Sequence, residues 1–291
     1  MRQRFIQSFS TSGTEHEAID NELLGRPYVA YIRDGQYIDW DTLSPTPPVP
    51  PEPDYSQIPL TFEIISGGTI AWERYGGAST DSKTIQYKKN DGEWTSITSN
   101  TGNTKPYVNV VPGDIVVFKG NNNSYCYSPA YNKFSGSATF KAYGNILSLI
   151  YGDNYQTETE LPSGNTVNTL HNFDSLFWKN SGITDASNII MPQNTKNTCY
   201  HRMFEDCTNL EKAPTLPASQ LEPYAYKYMF ANCKKLSYVK CLATNMTASD
   251  CIANWLSSVA STGTFVKHPN AVWSTGESGI PKDWTVVNAD I

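Results

Sequence analysis

Two stretches decide how this chain folds: M-F-E-D-C-T-N-L at residues 203–210 and M-F-A-N-C-K-K-L at residues 229–236. A divergent earlier copy begins at Leu176-Phe177, so the copies follow one another at steps of 27 and 26 residues. Tyr200 and Tyr226 precede the two full copies at the same offset. Each copy has one face of Met, Phe, Cys and Leu that it cannot bury alone, whereas stacked copies bury a continuous core. The repeat therefore predicts a short solenoid in the C-terminal half.

A second match extends the repeat, and a tryptophan-containing segment follows it. Residues 213–218 match residues 239–243 with one residue dropped. The last stretch of the chain is irregular, with prolines and glycines between Phe265, Trp273 and Trp284. A solenoid has to cover its last apolar face, because a bare repeat end would be exposed to water. These residues are therefore predicted to form a C-terminal cap.

Residues 1–43 are predicted to form a helix followed by a β-hairpin. Residues 14–24 fit a capping box with an apolar stripe behind it. Asp34-Gly35 then separates two runs of aromatic and β-branched residues, 27–32 and 36–40, which is a strong hairpin signal. Neither a helix of about ten residues nor a single hairpin is stable alone in water. This segment is therefore expected to pack on a partner or on a sister chain.

The middle of the chain divides into a linker and a β-rich region. Residues 44–59 contain seven prolines and predict an extended polyproline-II spacer. Residues 60–158 form short alternating runs divided by turn residues, which indicates a small antiparallel β-sandwich. Asp91-Gly92 and Pro112-Gly113 each lie between two such runs and predict two hairpins. The apolar run 145–151 is compatible with either a strand or a helix.

The C-terminal repeats resemble a known family. Residues 168–291 resemble a BspA-type leucine-rich repeat tail, which is common in proteins of gut Bacteroidales and their phages, and their period falls in the range of such repeats. Segments similar to the usual terminal cap of that family are 239–244, 251–256, 263–267 and 279–286. Residues 145–150 also resemble family members that carry a β-sandwich before the repeats. The resemblance implies a leucine-rich-repeat solenoid with a cap over residues 159–291.

The N-terminal segment carries a second resemblance. G-R-P-Y-V-A-Y at residues 25–31, together with Asp39-Trp40, resembles an N-terminal segment in virion proteins of crAss-like Bacteroides phages. There such segments look like the virion-attachment ends of head fibres. This implies that residues 1–43 anchor a homo-oligomer, a trimer or a dimer, to capsid or other virion proteins. The candidate particle-anchor residues are Tyr28, Tyr31, Tyr37 and Trp40.

Composition narrows the classes of partner and the location. The formal charge is −6 at pH 7, which argues against binding nucleic acid or an anionic membrane, since both work through a basic surface. No apolar run approaches the roughly 18 residues of a membrane span. Residues 5–9 are too polar for the apolar stretch of a secretory signal. We therefore expect a protein made in the host cytoplasm without a signal peptide and located on the exterior of a virion.

The sequence predicts no catalytic residue, cofactor or metal. The six cysteines contain no C-x-x-C pair, so they are expected to be small buried thiols, with disulfides as the alternative. No two of the four histidines are spaced as a metal pair. Motifs for a nucleophilic serine, a P-loop or a dinucleotide site are absent. The protein is therefore not expected to be an enzyme.

Tyrosines are the remaining candidates for a binding surface, because aromatic rings can stack on the apolar faces of sugars. The candidate glycan-contact residues are Tyr224, Tyr226 and Tyr228, with Tyr125, Tyr127 and Tyr131 as further candidates. The alternative for each of them is a place in the core of the solenoid or of the sandwich.

These observations and resemblances predict a mixed, β-rich protein in four parts. They are an N-terminal helix and hairpin (1–43), a proline-rich linker (44–59), a β-sandwich (60–158) and a capped leucine-rich-repeat solenoid (159–291). The expected function is that of a structural phage virion protein, a head fibre or capsid decoration, with host-surface glycans as a further partner. The alternatives are a bacterial cell-surface adhesin of the same repeat family and, third, a glycan-active enzyme.

Overall fold

The protein is described by a computed structural model, which covers residues 53–127, 129–164 and 170–291 and the backbone of four strands before them. The chain divides into two compact units, Met1–Pro53 and Asp54–Ile291. The second unit therefore contains both the β-rich region and the repeats. The described part of the chain is rich in strands and contains one short α-helix.

The first unit contains an antiparallel sheet whose four strands follow one another in chain order. The strands are β1 (Ile6–Thr11), β2 (Thr14–Asp20), β3 (Val29–Arg33) and β4 (Gln36–Ile38). β3 and β4 pair across Asp34-Gly35, with Arg33 opposite Gln36, so the hairpin prediction is confirmed.

The predicted helix at residues 14–24 is wrong over its first part, because Thr14–Asp20 is strand β2. Thr11 pairs with Thr14 in the register of β1 and β2, and the turn-forming dipeptide Ser12-Gly13 separates them in the sequence. A short helix without a packing surface gains little, whereas β2 pairs with β1 on one side and with β3 on the other. The capping-box pattern was therefore a weaker signal than the turn-forming dipeptide Ser12-Gly13.

Two sheets form the β-rich part of the second unit. Their strands are β5 (Thr61–Ser66), β6 (Gly68–Tyr75), β7 (Thr84–Lys89), β8 (Thr95–Thr98), β9 (Tyr107–Val110), β10 (Ile115–Gly120), β11 (Cys126–Tyr127), β12 (Ala130–Gly136), β13 (Thr139–Asn145) and β14 (Ile183–Ile190). One sheet has the strand order β14-β13-β5-β10-β7-β8 and the other β11-β12-β6-β9. All the pairs are antiparallel except β13 with β14, which is parallel.

Aromatic rings from both sheets meet in one core. Phe62 of β5 lies 4.7 Å from Phe118 of β10 and 4.9 Å from Phe134 of β12, measured between ring centroids. Trp72 of β6 lies 4.9 Å from Phe134, and all four side chains are fully buried. Burying rings of this size supplies a large share of the apolar area that stabilises a core. The two sheets therefore pack face to face through these rings.

One predicted hairpin of this region is confirmed and the other is wrong. β7 and β8 pair across Asp91-Gly92. The strands on either side of Pro112-Gly113 exist, but β9 pairs with β6 and β10 pairs with β5 and β7, so they lie in different sheets. The turn instead bonds to a third strand, since Gly113 N donates to Ile64 O at 2.9 Å. Local turn residues predicted the reversal of the chain but not the pairing partner.

The apolar run 145–151 ends in helix α1 (Ser148–Tyr151). Its Ser148 hydroxyl donates to Phe118 O at 3.0 Å, which holds the helix against β10. Short 3₁₀ turns occupy Tyr55–Gln57, Ser79–Asp81, Gly102–Thr104 and Gly152–Thr157. Within the described part of the chain, no helix is long and apolar enough to cross a bilayer.

The repeats form four segments of consecutive turns, and each segment bonds to the next through its backbone. We call residues 171–180, 197–207, 223–233 and 249–258 the turn segments. Phe177 N donates to Met203 O, Phe204 N to Met229 O and Phe230 N to Trp255 O, each at 2.9 Å. Strand β15 (Tyr238–Cys241) follows the third turn segment, and strands β16 (Gly263–Lys267) and β17 (Trp284–Asn288) follow the fourth. β15 pairs in parallel with β16, and β16 pairs in parallel with β17. The copies therefore stack as parallel layers.

Two columns of aromatic rings run through these layers and end on the same tryptophan. Neighbouring centroids in the first column are 5.8–6.3 Å apart, and those in the second are 5.2–6.5 Å apart. The first column is Tyr125, Phe173, Tyr200, Tyr226 and Trp255, and the second is Phe134, Phe177, Phe204, Phe230 and Trp255. Both columns begin in the paired sheets, so the core is continuous across the expected domain boundary at residue 158.

Candidate functional site: an aromatic and cationic ridge

Stacking in register brings aromatic and cationic side chains of successive turn segments together at the surface. Because Arg202 N donates to Lys227 O, and Lys179 N to Glu205 O, equivalent positions of neighbouring segments lie beside one another. We define the ridge as a set of six residues from these segments and from the end of β6. Its members are Tyr75, Trp178, Lys179, Arg202, Lys227 and Tyr228.

Trp178 forms the aromatic end of the ridge. Its ring centroid is 5.2 Å from that of Tyr75 and 6.0 Å from that of Tyr131. The ammonium groups of Lys179 and Lys133 lie 4.6 Å and 5.0 Å from the Trp178 ring. Tyr75 is 52% exposed, which is unusual for a large aromatic side chain, so this end presents ring surface to solvent.

Tyr228 lies at the cationic end of the ridge. The Arg202 guanidinium is 5.4 Å from its ring centroid, and the Lys227 ammonium is 5.7 Å from it. Lys227 also lies 5.0 Å from the Tyr224 ring and donates to Asp250 Oδ2 at 2.7 Å. The hydrogen bond to Asp250 raises the pKa of Lys227, so this ammonium stays charged at physiological pH.

Glu205 connects the two ends. Its Oε2 is 3.4 Å from Arg202 Nε, but neither atom has a hydrogen-bond partner among the described residues. Burial raises the pKa of Glu205, with Asp206 adding to the effect and Arg202 opposing it. Arg202 and Glu205 therefore form an ion pair without hydrogen-bond alignment, and the unpartnered Nε and Oε2 atoms are both buried.

The structure separates the three predicted glycan-contact tyrosines. Tyr224 and Tyr228 are half-buried beside Lys227 at the surface of the third turn segment. Tyr226 is 1% exposed and lies in the first aromatic column between Tyr200 and Trp255. A ring buried on both faces cannot stack on a sugar, so the prediction for Tyr226 is wrong. Its match in offset with Tyr200 was the sequence signal for a core position.

The other predicted residues are only partly described. Tyr125 is fully buried in the core, Tyr131 is half-buried beside Trp178, and the side chain of Tyr127 lies outside the described residues. Among the anchor candidates, Tyr31 lies on β3 opposite Ile38, and Tyr37 lies on β4 opposite Ile32. Tyr28 and Trp40 lie outside the described residues.

A second polar surface lies on the sheet that contains β7, β8 and β10. Thr84, Gln86 and Ser96 line a groove of about 280 Å³ with Lys119 and Asp153. The Lys119 ammonium is 2.8 Å from Asp153 Oδ1 and 4.2 Å from the Trp94 ring. The Lys119 ammonium is therefore paired with a carboxylate, as that of Lys227 is. Trp94 offers a matched aromatic residue outside the ridge.

Nothing in the local sequence around Trp178, Arg202 and Lys227 marks these residues as members of a binding surface. They occupy three different repeat positions: Lys227 aligns with Asp174 and His201, Arg202 aligns with Ser175 and Tyr228, and Trp178 aligns with Glu205. Only the stacking of the segments brings them together.

The described residues also include one group that can hold a metal ion. Donor atoms of Cys126, His171 and Asp174 lie within 4.8 Å of one another. Burial alone would raise the pKa of Asp174, but hydrogen bonds from His171, His201 and Ser175 outweigh it and hold the pKa below its ordinary value. No metal pair was expected from histidine spacing, because these ligands come from a strand and a turn segment far apart in sequence.

Comparison with protein-family models found no match, and comparisons with curated proteins and with solved structures found no significant similarity.

Proposed function

We propose that the chain is a structural adhesion protein whose ridge binds an acidic polysaccharide. The observation that carries the proposal is the alternation of ring surface and cations along the stacked segments. Tyr75 offers exposed ring surface beside Trp178, while Lys179, Arg202 and Lys227 offer charge. Sugar rings stack on aromatic side chains, and guanidinium and ammonium groups pair with carboxylates or sulfates. The chain as a whole carries a net charge of −6, so this local concentration of cations stands out against an acidic surface.

The repeat region is, in this proposal, a short leucine-rich-repeat solenoid of the BspA type. Three observations support it: steps of 27 and 26 residues, backbone hydrogen bonds between equivalent positions, and parallel pairing of β15, β16 and β17. The paired sheets close its first layer, and a cap around Trp255 closes its last. A solenoid presents one side chain per layer at each surface position, which suits an extended chain-like ligand.

We further propose that the protein is a phage virion component, a head fibre or capsid decoration on the exterior of the particle. The resemblance of residues 25–31 to attachment segments of such proteins supports this, and so does the separate compactness of Met1–Pro53. In this proposal the first unit joins two or three copies and binds capsid or other virion proteins. The protein acts by binding and not by catalysis. A bacterial cell-surface adhesin of the same repeat family is the alternative.

Binding by the full chain to immobilised chondroitin sulfate, with neutral dextran as the reference, tests the ridge. We expect salt-sensitive binding to the acidic polysaccharide that falls about tenfold in Arg202→Gln and in Trp178→Ala, about 1.4 kcal/mol each. Trp94→Ala is the matched control and should bind as the parent does. Equal binding to dextran, or unchanged binding by both ridge variants, would show that the ridge is not a binding site for acidic polysaccharide. Equal binding to single-stranded DNA would indicate a general polyanion surface and count against a glycan ligand.

The location is tested separately by immunogold labelling of purified particles and of the bacterial surface. The proposal expects label on the outside of intact particles. Label confined to the bacterial envelope would favour the adhesin and overturn the virion assignment.

A further inference from the structure

Four polar side chains converge below the surface where the paired sheets meet the first turn segment. Asp174 is the centre of this group, and its side chain is 3% exposed. Cys126 comes from β11, His171 precedes Asp174 by one turn, and His201 comes from the next turn segment. The four side chains therefore belong to three parts of the fold that only the tertiary structure brings together.

The distances within this group match those between the ligands of a small metal ion. His171 Nδ1 is 3.1 Å from Asp174 Oδ2, and the donor atoms of Cys126, His171 and Asp174 are all within 4.8 Å of one another. With metal–ligand bonds of about 2.0–2.3 Å, the ligands of a tetrahedral zinc ion are roughly 3.3–3.8 Å apart. The upper limit of 4.8 Å exceeds this range by about 1 Å, so the three donor atoms are close enough to bind one ion after drawing slightly together.

His201 and Ser175 support the carboxylate from its other side. His201 Nδ1 is 3.3 Å from Asp174 Oδ1, and the Ser175 hydroxyl donates to the same oxygen at 2.7 Å. Carboxylate ligands of metal ions are commonly oriented by such hydrogen bonds from outside the coordination sphere. His201 is not within reach of all three other donors, so its place is beside the site and not in it.

We infer that Cys126, His171 and Asp174 form a binding site for one zinc-class divalent cation. A thiolate and an imidazole favour zinc over calcium or magnesium, which prefer oxygen ligands alone. The three ligands lie on β11 and on the first turn segment, so the bound ion joins the paired sheets to the repeats. Its effect is to stabilise this junction. The inference does not depend on the ridge or on its ligand.

Calorimetric titration of the chelator-treated full chain with Zn²⁺ tests the site. We expect one saturable site, a higher melting temperature with Zn²⁺, and a thiolate-to-metal charge-transfer band when Co²⁺ replaces Zn²⁺. Cys126→Ala should abolish the band, whereas the matched control Cys251→Ala, also a buried cysteine, should retain it. His201→Gln should weaken the affinity about 10–100-fold and keep the band, as expected for a group outside the coordination sphere.

Three results would overturn the inference. They are the absence of saturable binding by the parent chain, a band that survives Cys126→Ala, and equal affinity of the parent and His171→Gln. Near-ultraviolet circular dichroism establishes that each variant is folded, and Cys126→Ser replaces Cys126→Ala if the latter is not. His268→Gln controls for binding to an ordinary surface histidine. If Asp174 serves only as a buried carboxylate satisfied by two histidines, Zn²⁺ will leave the melting temperature unchanged.

Discussion

One residue position in each of the first three turn segments donates a hydrogen bond to the layer before it. Cys207 Sγ donates to Phe177 O and Cys233 Sγ donates to Phe204 O, both at 3.0 Å. Asn180 holds the same position in the first segment, and its Nδ2 donates to Phe134 O at 3.1 Å. The donor in the first segment thus reaches into the paired sheets. The same bond is repeated three times, with an amide at the first layer and thiols at the next two.

The sequence was sufficient to predict that these cysteines are buried but not that they are donors. Cys207 and Cys233 share a repeat position, which indicated a small core residue, and both are fully buried. Asn180 did not match them in the sequence, because Asn is polar whereas a buried Cys resembles a small apolar residue. Their equivalence is one of hydrogen-bond geometry, which appears only when the preceding carbonyl is in place.

We predict that all six thiols resist alkylation in the native protein and react only after denaturation. All six are buried, and burial raises the pKa of Cys241 to about 12 and that of Cys199 well above its usual range. The reactive thiolate is therefore scarce as well as shielded. Mass spectrometry after alkylation without reductant should show six adducts in denaturant and none before it. A pair of missing adducts in denaturant would reveal a disulfide and contradict the prediction.

At the scale of elements, turn chemistry predicted where the chain reverses better than it predicted which strands pair. Asp91-Gly92 lies between strands that do pair, whereas Pro112-Gly113 carries the chain from one sheet to the other. The difference arises from the side chain of Asp114, which accepts from Val111 N at 3.0 Å and from Asn90 Nδ2 at 2.8 Å. The bond to Asn90 holds the turn against the connection between β7 and β8. Because Asn90 and Asp114 are far apart in sequence, no short-range pattern predicts this contact.

The turn segments were beyond prediction from sequence for a related reason. Each contains residues with a positive φ at intervals of four, and none of these residues is glycine. In the second segment they are Thr198, Arg202 and Asp206, with φ of 58°, 53° and 62°. The left-handed region costs ordinary residues roughly 1–2 kcal/mol, so propensity alone disfavours this backbone. The hydrogen bonds between layers compensate for the cost, and they exist only in the stacked state.

We predict that this strain can be measured at Ser258, an exposed position with φ of 56°. Ser258→Gly should be more stable than Ser258→Ala by about 1 kcal/mol, because only glycine adopts a left-handed backbone without cost. The free energy of unfolding of each variant, from chemical denaturation, gives the comparison. Asn154, exposed in a 3₁₀ turn without a positive φ, is the control, and there the alanine variant should be the more stable. The same order at both positions would contradict the backbone assigned to the fourth turn segment.

Two aromatic columns run through the second unit from the packed sheets to the last repeat, and both ends of each column are covered. Tyr125 and Phe134 start the columns inside the paired sheets, and Trp255 ends both. Beyond Trp255, Trp273 stacks on it at 5.3 Å, and Trp284 donates its Nε1 hydrogen to Ala260 O at 2.8 Å. A stack of repeats exposes an apolar face at any end that is not covered. The two packed sheets therefore cover the first apolar end of the repeat stack, and the tryptophans cover the last.

At this scale the sequence predicted more of the fold than of the candidate site. The repeat period and the tail tryptophans were evident because a buried core imposes regular spacing on apolar residues. The ridge imposes no such spacing: Trp178 and Arg202 occupy different positions in their segments, and Glu205 pairs with Arg202 and accepts a hydrogen bond from Lys179 N. Surface residues are free to vary independently of the packing, so only the assembled layers show which of them are neighbours.

Deletion of residues 1–53 tests the division of the chain into two units and the role proposed for the first. Because Asp54–Ile291 is compact by itself and both ends of its columns are covered, the shortened chain should melt at the temperature of the full chain's second unit. It should also sediment as a monomer, whereas the full chain is expected to sediment as a dimer or trimer. A chain ending at Thr262 is the control: it loses β16, β17, Trp273 and Trp284, and its melting temperature should fall clearly. An oligomer that survives the deletion would place assembly in the second unit, and a lowered melting temperature of the shortened chain would mean that the first unit stabilises the second.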